Sequence, residues 1–209
     1  MNSFFIEKIQ STYPNHRVLG EEGYGDDITS SDGTVWLIDP IDGTMNFVHQ
    51  KRNFAISIGV YHDGVGKIGL VYDPVHDELY HALEGEGAYC NGIEIPKLEP
   101  GSVSEGVVAV NATWLTENRR LDHRKMAELV RRARGTRSYG CAALEIVYVA
   151  TGRLDAYITP RLSPWDFWRR CGHCTRGRWN HYHVCWRATR PSGSKQRISG
   201  EARRLRASN

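Results

Sequence analysis

The stretch WLIDPIDGTMNFVH, residues 36–49, is the centre of what this sequence predicts about fold and chemistry. It begins inside a short, nearly continuous apolar run, residues 34–40, which is typical of a buried β-strand. We expect Pro40 to end this strand, and Asp39 and Asp42 to converge at its mouth. Carboxylates arranged in this way can hold Mg²⁺, which prefers oxygen ligands and keeps several waters. The alternative is a capped turn in which both carboxylates only accept backbone hydrogen bonds.

The residues after the two aspartates add groups that suit a phosphate. Gly43 and Thr44 offer backbone N–H groups and a hydroxyl at the place where a phosphate or an attacking water would sit. Two further acidic sites come from elsewhere: Glu21 lies in the Gly-bounded loop LGEEG, and Asp166 follows a stiff Pro-Trp pair. Taken alone, each of these two acids is more typical of a solvated loop than of a metal site.

Periodicity outside this stretch predicts an α+β protein. Alternating residues on either side of Asp63-Gly64 predict a hairpin, within an antiparallel sheet over about residues 34–92. Strands precede a mixture of helices and strands, which favours layered α+β packing. We expect helices at 3–12, 121–134 and 141–152, and further strands at 106–114 and 154–159.

Charge divides the chain into two parts. Residues 1–167 carry 16 Lys and Arg against 23 Asp and Glu, whereas residues 168–209 carry 11 against 1. The acidic part contains only Cys90 and Cys141, which is no disulfide framework. No apolar run is long enough to span a bilayer and no leader precedes the first helix, so we expect a soluble cytoplasmic protein.

Four strings together resemble the inositol monophosphatase family of Mg²⁺-dependent, lithium-sensitive phosphatases. They are GEE, WLIDPIDGTMNF, SYGCAALEIVYVATGRLDAY and PWD, and the resemblance covers about residues 3–167. It implies a layered α/β sandwich of the inositol monophosphatase or sugar phosphatase type, incomplete at both ends. The implied domains are a metal- and phosphate-binding α+β half at 1–105, a partial second half at 106–167, and a basic, non-native or disordered tail at 168–209.

The resemblance also implies roles for individual residues. The implied metal ligands are Glu21, Asp39, the Ile41 carbonyl, Asp42 and Asp166. The implied catalytic residues are Glu21, Asp42 and Thr44. The implied substrate contacts are Gly43, Thr44, Gly140, Cys141, Ala142 and Asp166. Two or three Mg²⁺ ions and inhibition by lithium are expected, with in-line attack of a metal-activated water on a phosphomonoester.

The implied substrate is inositol 1-phosphate or a similar small sugar or polyol phosphate. Thr159 stands where many members have a glutamate that binds inositol hydroxyls. A fructose 1,6-bisphosphate or dinucleotide-phosphate substrate of the same superfamily therefore stays open, as does an inactive metal-binding remnant. The resemblance further implies a homodimer acting on a small molecule, with neither a membrane nor a nucleic acid as partner.

Two departures from the family pattern bear on activity. The family has two long helices before the GEE loop, with a lysine near the phosphate and an aspartate that partners the threonine matching Thr44. Only 19 residues precede Gly20 here, so we expect both side chains to be missing. After Phe167 the family continues with a small-residue helix start, whereas this chain has Trp168-Arg169-Arg170.

The segment after Phe167 has three interpretations. As a zinc site it offers Cys171, Cys174, His181, His183 and Cys185. As a nucleic-acid site it offers arginines interleaved with Trp179, Tyr182 and Trp186. Its large aliphatic residues are too few for a core. Permitted codons for residues 168–182, shifted by one nucleotide, can encode the apolar helix, Gly-Gly turn and strand start of the family. We therefore favour a shifted reading frame.

Overall fold

The computed structural model describes residues 2–20, 32–99, 101–160 and, by backbone alone, 183–186. The helices are α1 (Asn2–Thr12), α2 (Thr44–His49), α3 (His123–Arg132) and α4 (Ala142–Ala150), with a 3₁₀ helix at Ala112–Leu115. The strands are β1 (Arg17–Gly20), β2 (Thr34–Asp42), β3 (Ala55–His62), β4 (Val65–Asp73), β5 (Glu78–Leu83), β6 (Gly87–Cys90), β7 (Ile93–Glu94), β8 (Val107–Val110), β9 (Gly135–Arg137), β10 (Ala156–Thr159) and β11 (His183–Trp186).

These elements belong to two compact units. The first takes in the described parts of Met1–Lys97 together with Tyr139–Val147. The second takes in the described parts of Leu98–Ser138 and Tyr148–Leu162, and strand β11. The predicted mixed α+β class is confirmed.

A seven-stranded sheet in the order β1-β2-β3-β4-β5-β6-β7 forms the first unit. Strand β1 is parallel to β2, and every other neighbouring pair is antiparallel. The β3–β4 hairpin turns at Asp63 and Gly64, both with positive φ, as a two-residue type I′ turn requires. The antiparallel sheet and its hairpin are therefore confirmed.

Helix α1 packs on one face of this sheet. Buried Ile9 meets Val18 of β1 and Ile38 of β2, with four half-buried residues around them: Phe5, Ile6, Trp36 and Ile58. Farther along the sheet, Leu79 and Leu83 of β5 are 39% and 36% exposed. The core cluster built on α1 thus holds β2, the strand that carries both predicted aspartates.

The second unit has a four-stranded sheet in the order β11-β10-β8-β9. Strands β8, β9 and β10 run parallel, and β11 pairs antiparallel with β10. Helix α3 packs on it through Met126, Leu129 and Ala133, which contact Val108, Ala156 and Ile158. Asp122 begins this helix by accepting a hydrogen bond from the Arg124 N–H, 3.0 Å away, as an N-cap residue does.

The predicted helices and strands are present, most of them with shorter bounds and α1 beginning one residue earlier, at Asn2, except in three places. Pro40 does not end its strand, because β2 continues to Asp42. The strand predicted at 106–114 ends at Val110 and is followed by the 3₁₀ helix. Helix α2 and strands β1, β7, β9 and β11 were not predicted, since such short runs do not let periodicity stand out.

Several predictions fall on other parts of the chain. Glu21 and Asp166 lie outside the described residues, and so does the segment 168–209 apart from the backbone of β11. In the part of the chain that the structure describes, no helix has the length and apolarity needed to cross a membrane.

Candidate active site

The end of β2 carries the predicted site, and a β-bulge shapes it. Asp39 pairs with Ser57 and Asp42 with Ala55, so three steps along β2 match two along β3. Pro40 lies inside this bulge, where the missing proline N–H costs no ladder hydrogen bond. The strand therefore passes through Pro40, and the bulge re-aims the residues that follow it.

Both predicted carboxylates accept hydrogen bonds from backbone N–H groups. Asp39 is 4% exposed, and its Oδ1 accepts from the Ile41 N–H at 3.0 Å. The Oδ2 atom of Asp42 accepts from the Ala143 N–H in the first turn of α4. A helix leaves its first N–H groups without helical partners, and negative charge there is favourable. The capped-turn alternative thus describes part of what these two carboxylates do.

Cys141 connects the stretch that carries the two aspartates to the stretch that begins α4. Its Sγ lies 3.2 Å from Asp42 Oδ2 and donates to it, and the side chain is 1% exposed. Burial, followed by the nearby charge of Asp42, raises the pKa of the Cys141 thiol far above its usual range. The thiol therefore stays protonated and acts as a hydrogen-bond donor, not as a nucleophile.

Gly43 is the point where three chain segments meet. Its φ is +86°, and a Cβ added there would lie 3.0 Å from the Asn53 carbonyl oxygen and 3.1 Å from Cys141 Cβ. Both the backbone conformation and the close approach require glycine. The motif glycine thus lets the first turn of α2 sit directly against residues 140–141.

Thr44 and Ile41 form the local pair of the site. The Thr44 hydroxyl donates to the Ile41 carbonyl oxygen over 3.1 Å. A group bound to that carbonyl would therefore lie beside the threonine hydroxyl. The Ile41 carbonyl, predicted to bind metal, and the Thr44 hydroxyl, predicted to be catalytic, are therefore neighbours.

Asn46 holds three segments together, a role that no pattern in the sequence predicted. Its Nδ2 donates to the carbonyl oxygens of Asn53 (2.8 Å) and Tyr139 (2.6 Å), and its Oδ1 accepts from Gln50 at 3.2 Å. The side chain is 8% exposed. Asn46 therefore ties α2 to the loop before β3 and to the loop before α4.

Glu145 also holds the loop before α4, through the backbone N–H of Tyr139. It is 4% exposed, and its Oε1 accepts from the Tyr139 N–H at 2.7 Å. Tyr139 is thus held at its N–H by Glu145 and at its carbonyl by Asn46. Asn46 and Glu145 both lie inside the motifs that resemble the family. Asn46 and Tyr139 are 93 residues apart in the chain, and no periodicity encodes such a pairing.

The structure brings together eight of the ten predicted site residues within the first unit. They are Asp39, Ile41, Asp42, Gly43, Thr44, Gly140, Cys141 and Ala142. The described residues contain no group of three His, Cys, Asp or Glu side chains spaced to hold a metal ion. What they do offer is two carboxylates and a backbone carbonyl, all hard oxygen donors that suit Mg²⁺ or Ca²⁺. Glu21 and Asp166 lie outside the described residues, and their roles stay predictions.

Comparison with known proteins agrees with this arrangement. The sequence profile of the Inositol monophosphatase family matches residues 1–168. The inositol-1-monophosphatase of Bacillus subtilis is 63% identical over 168 residues, covering 80% of this chain and 63% of the relative. The fructose-1,6-bisphosphatase/inositol-1-monophosphatase of Thermotoga maritima is 36% identical over 161 residues, covering 77% of this chain and 59% of the relative.

A solved structure gives the same result for the fold. The inositol monophosphatase II of Staphylococcus aureus, with inositol monophosphate bound, is 53% identical with a TM-score of 0.75, covering 79% of this chain and 64% of that one. The chain therefore spans about three fifths of the length of the relatives it matches. The profile match ends at Trp168, where the charge of the sequence changes. On its sequence, its fold and its assembled motif residues, the chain belongs to the inositol monophosphatase family.

Proposed function

We propose that this protein hydrolyses a small phosphomonoester, with inositol 1-phosphate as the first substrate to test. One observation carries the proposal: Asp42 bonds to Ala143 and Cys141, which joins the aspartate stretch to the stretch predicted to contact substrate. Two relatives named as inositol-1-monophosphatases, from Bacillus subtilis and Thermotoga maritima, support the same chemistry.

In this proposal Asp39, Asp42 and the Ile41 carbonyl hold a divalent cation. Members of the family are metal-dependent in general, and we propose Mg²⁺, in two or three ions, with inhibition by lithium. When bound, such a cation supplies charge neutralisation and a lowered pKa for water. Glu21 and Asp166 would complete the ligand set, and Glu21 would orient the attacking water.

The chain's own groups then position the phosphate and the substrate ring. Thr44 and Gly43 begin α2, whose first N–H groups have no helical acceptors, so these N–H groups are available to phosphate oxygens. The Thr44 hydroxyl donates its proton to the Ile41 carbonyl, so its oxygen would accept a hydrogen bond from the attacking water. Gly140, Cys141 and Ala142 would face the ring, and the clamp by Asn46 and Glu145 would keep them in place.

The substrate class has two further candidates. The printed name of the Thermotoga maritima relative includes fructose-1,6-bisphosphatase, and Thr159 of β10 is a buried residue where the family pattern has glutamate in many members. Fructose 1,6-bisphosphate and a dinucleotide phosphate therefore belong in the substrate panel beside inositol 1-phosphate.

The test is phosphate release by the 209-residue chain with and without Mg²⁺, across that panel. We expect release to require Mg²⁺ and to fall at least about a hundredfold in Asp39→Asn, since an amide cannot replace a ligating carboxylate. Asp63→Asn is the matched control, because Asp63 is an exposed acid in the β3–β4 turn whose Oδ1 accepts from the Gly33 N–H, which an amide oxygen can also do.

Calorimetric titration with Mg²⁺ separates the enzyme from an inactive remnant. Mg²⁺ binding that Asp39→Asn removes, without release from any substrate, would identify a metal-binding remnant and contradict the enzymatic proposal. Release that is equal in Asp39→Asn and the unsubstituted chain would contradict the assigned site.

Assembly and location complete the proposal. On the family pattern we propose a homodimer in the cytoplasm, with residues 1–105 and 106–167 as its two structural halves. Light scattering coupled to size exclusion tests the dimer: a mass near twice 23.7 kDa is expected, and a monomer at all concentrations would contradict it.

A further inference from the structure

Helix α3 carries a one-sided basic face. Arg124, Lys125, Arg131 and Arg132 are all exposed. At about 100° of rotation per residue, these four positions fall within an arc of about 120°. The basic face of α3, meaning these four residues, therefore consists of two pairs of cations about 10 Å apart along the helix, with the exposed Glu128 between them.

The opposite face of α3 is already packed. Met126, Leu129 and Ala133 contact the buried residues of the second unit's sheet, and Leu121, just before the helix, is 6% exposed. This packing fixes the rotation of the helix about its axis. The basic face consequently points away from that sheet.

The cations of this region have no carboxylate partners in the described part of the chain. The ion pairs recorded there join His62 to Asp63, Lys67 to Glu84 and His76 to Asp73, all in the first unit. Residues 119–134 contain seven exposed Lys or Arg side chains: Arg119, Arg120, Arg124, Lys125, Arg131, Arg132 and Arg134. Only Asp122 and Glu128 oppose them, and Asp122 is used to cap the helix.

We propose that the basic face of α3 binds the phosphate backbone of a nucleic acid. One strand of a duplex presents a phosphate about every 3.4 Å along its axis, so two pairs of cations about 10 Å apart match phosphates about three steps apart. Three of the four are arginines, whose forked guanidinium matches phosphate oxygens. The contact is independent of base sequence, because phosphates carry none.

An anionic membrane fits this face less well. Basic amphipathic helices bind membranes by burying their apolar face among the lipids. The apolar face of α3 is occupied by Val108, Ala156 and Ile158. The family resemblance implied no nucleic-acid partner, and this proposal departs from that expectation. The surface lies outside the segment after Phe167, whose arginines and aromatic residues were considered for nucleic-acid binding, and it is independent of the proposed phosphatase activity.

The test measures binding of the full chain to a fluorescent 20-base-pair DNA duplex at several salt concentrations. We expect the triple variant Arg124→Gln, Arg131→Gln, Arg132→Gln to reduce the slope of log K against log salt by about 2 to 3. The control variant Lys8→Gln, Lys67→Gln, Lys97→Gln removes the same net charge from the first unit. Its slope should stay within about 0.5 of the unsubstituted chain. The basic segment after Trp168 is common to all variants.

A gain of affinity supplies a second readout that misfolding cannot imitate. Glu128 is the acid inside the basic arc, so Glu128→Gln should tighten duplex binding by roughly twofold or more at low salt. Equal slopes in the triple and control variants, or no duplex binding by the unsubstituted chain, would overturn the proposal. So would a triple variant that loses binding to phosphatidylserine vesicles while keeping its duplex affinity, since that result would assign the face to a membrane.

Discussion

The candidate active site and the basic face of α3 are both polar regions, but they are held in opposite ways. In the candidate active site, hydrogen bonds of polar side chains hold the backbone in place: Asn46 and Glu145 bond to Tyr139, and Asp42 bonds to the start of α4. On α3, apolar residues hold the helix, and the cations take no part in the packing.

On the basic face, the residues proposed to bind differ from the residues that hold the helix. In the candidate active site, the same polar side chains do both. A buried polar group left without its partner costs the free energy of desolvation, whereas an exposed charge can be removed at little cost. Substitutions in the active site should therefore change stability and activity together. Substitutions on the basic face should change binding alone.

The largest expected effect comes from Asn46→Ala. The Asn53 and Tyr139 carbonyl oxygens would both lose their donor, so the free energy of unfolding should fall by about 4 kcal/mol. Urea denaturation measures it. The control is Gln50→Ala, an exposed member of the same network, which should cost about 0.5 kcal/mol. Similar losses in the two variants would mean that Asn46 is not the holding residue.

Gly43→Ala should have the next largest effect and lower the free energy of unfolding by about 3 kcal/mol. Its positive φ strains any side chain, and the new Cβ would press on the Asn53 carbonyl at 3.0 Å. Gly85→Ala is matched, since Gly85 has a φ of +88° with nothing within 4 Å, and should cost about 1 kcal/mol. Chemical denaturation of both variants isolates the contribution of close packing, and a Gly43→Ala cost equal to that of Gly85→Ala would argue against it.

Cys141→Ser should change how stability depends on pH. Burial raises the pKa of the folded Cys141 thiol, so its contribution is present below the unfolded pKa of about 8.5 and is lost as the pH rises above it. Relative to the serine variant, the unsubstituted chain should lose about 1.4 kcal/mol per pH unit above that value. Denaturation midpoints between pH 7 and 10 test this, and parallel curves would contradict it.

The smallest effect is expected on the basic face of α3. Arg131→Gln should alter the free energy of unfolding by less than about 0.5 kcal/mol, because the residue is exposed and glutamine has a similar helix propensity. Leu129→Ala, on the packed face, should cost about 1.5 kcal/mol. Thermal unfolding compares the two. A destabilising Arg131→Gln would show that the basic face contributes to the stability of the fold, as the polar residues of the candidate active site do.

Much of the fold and most of the candidate site followed from the sequence. The hairpin at Asp63-Gly64 was predictable because both turn residues tolerate positive φ, and the apolar run ending at Asp39 was predictable because a buried strand is apolar on both faces. Strands β1 and β9 were missed because they are short. The passage of β2 through Pro40 was missed because the bulge depends on the pairing with β3.

The sequence by itself determined which residues are candidates for the chemistry: two aspartates three residues apart and the Gly-Thr pair that follows them. Each of these is a property of a few neighbouring residues. Only the tertiary structure decided that Asp42 meets Ala143 and Asn46 meets Tyr139, across 101 and 93 residues. Such partners depend on how the sheet closes and where each loop returns, and local patterns do not encode that geometry.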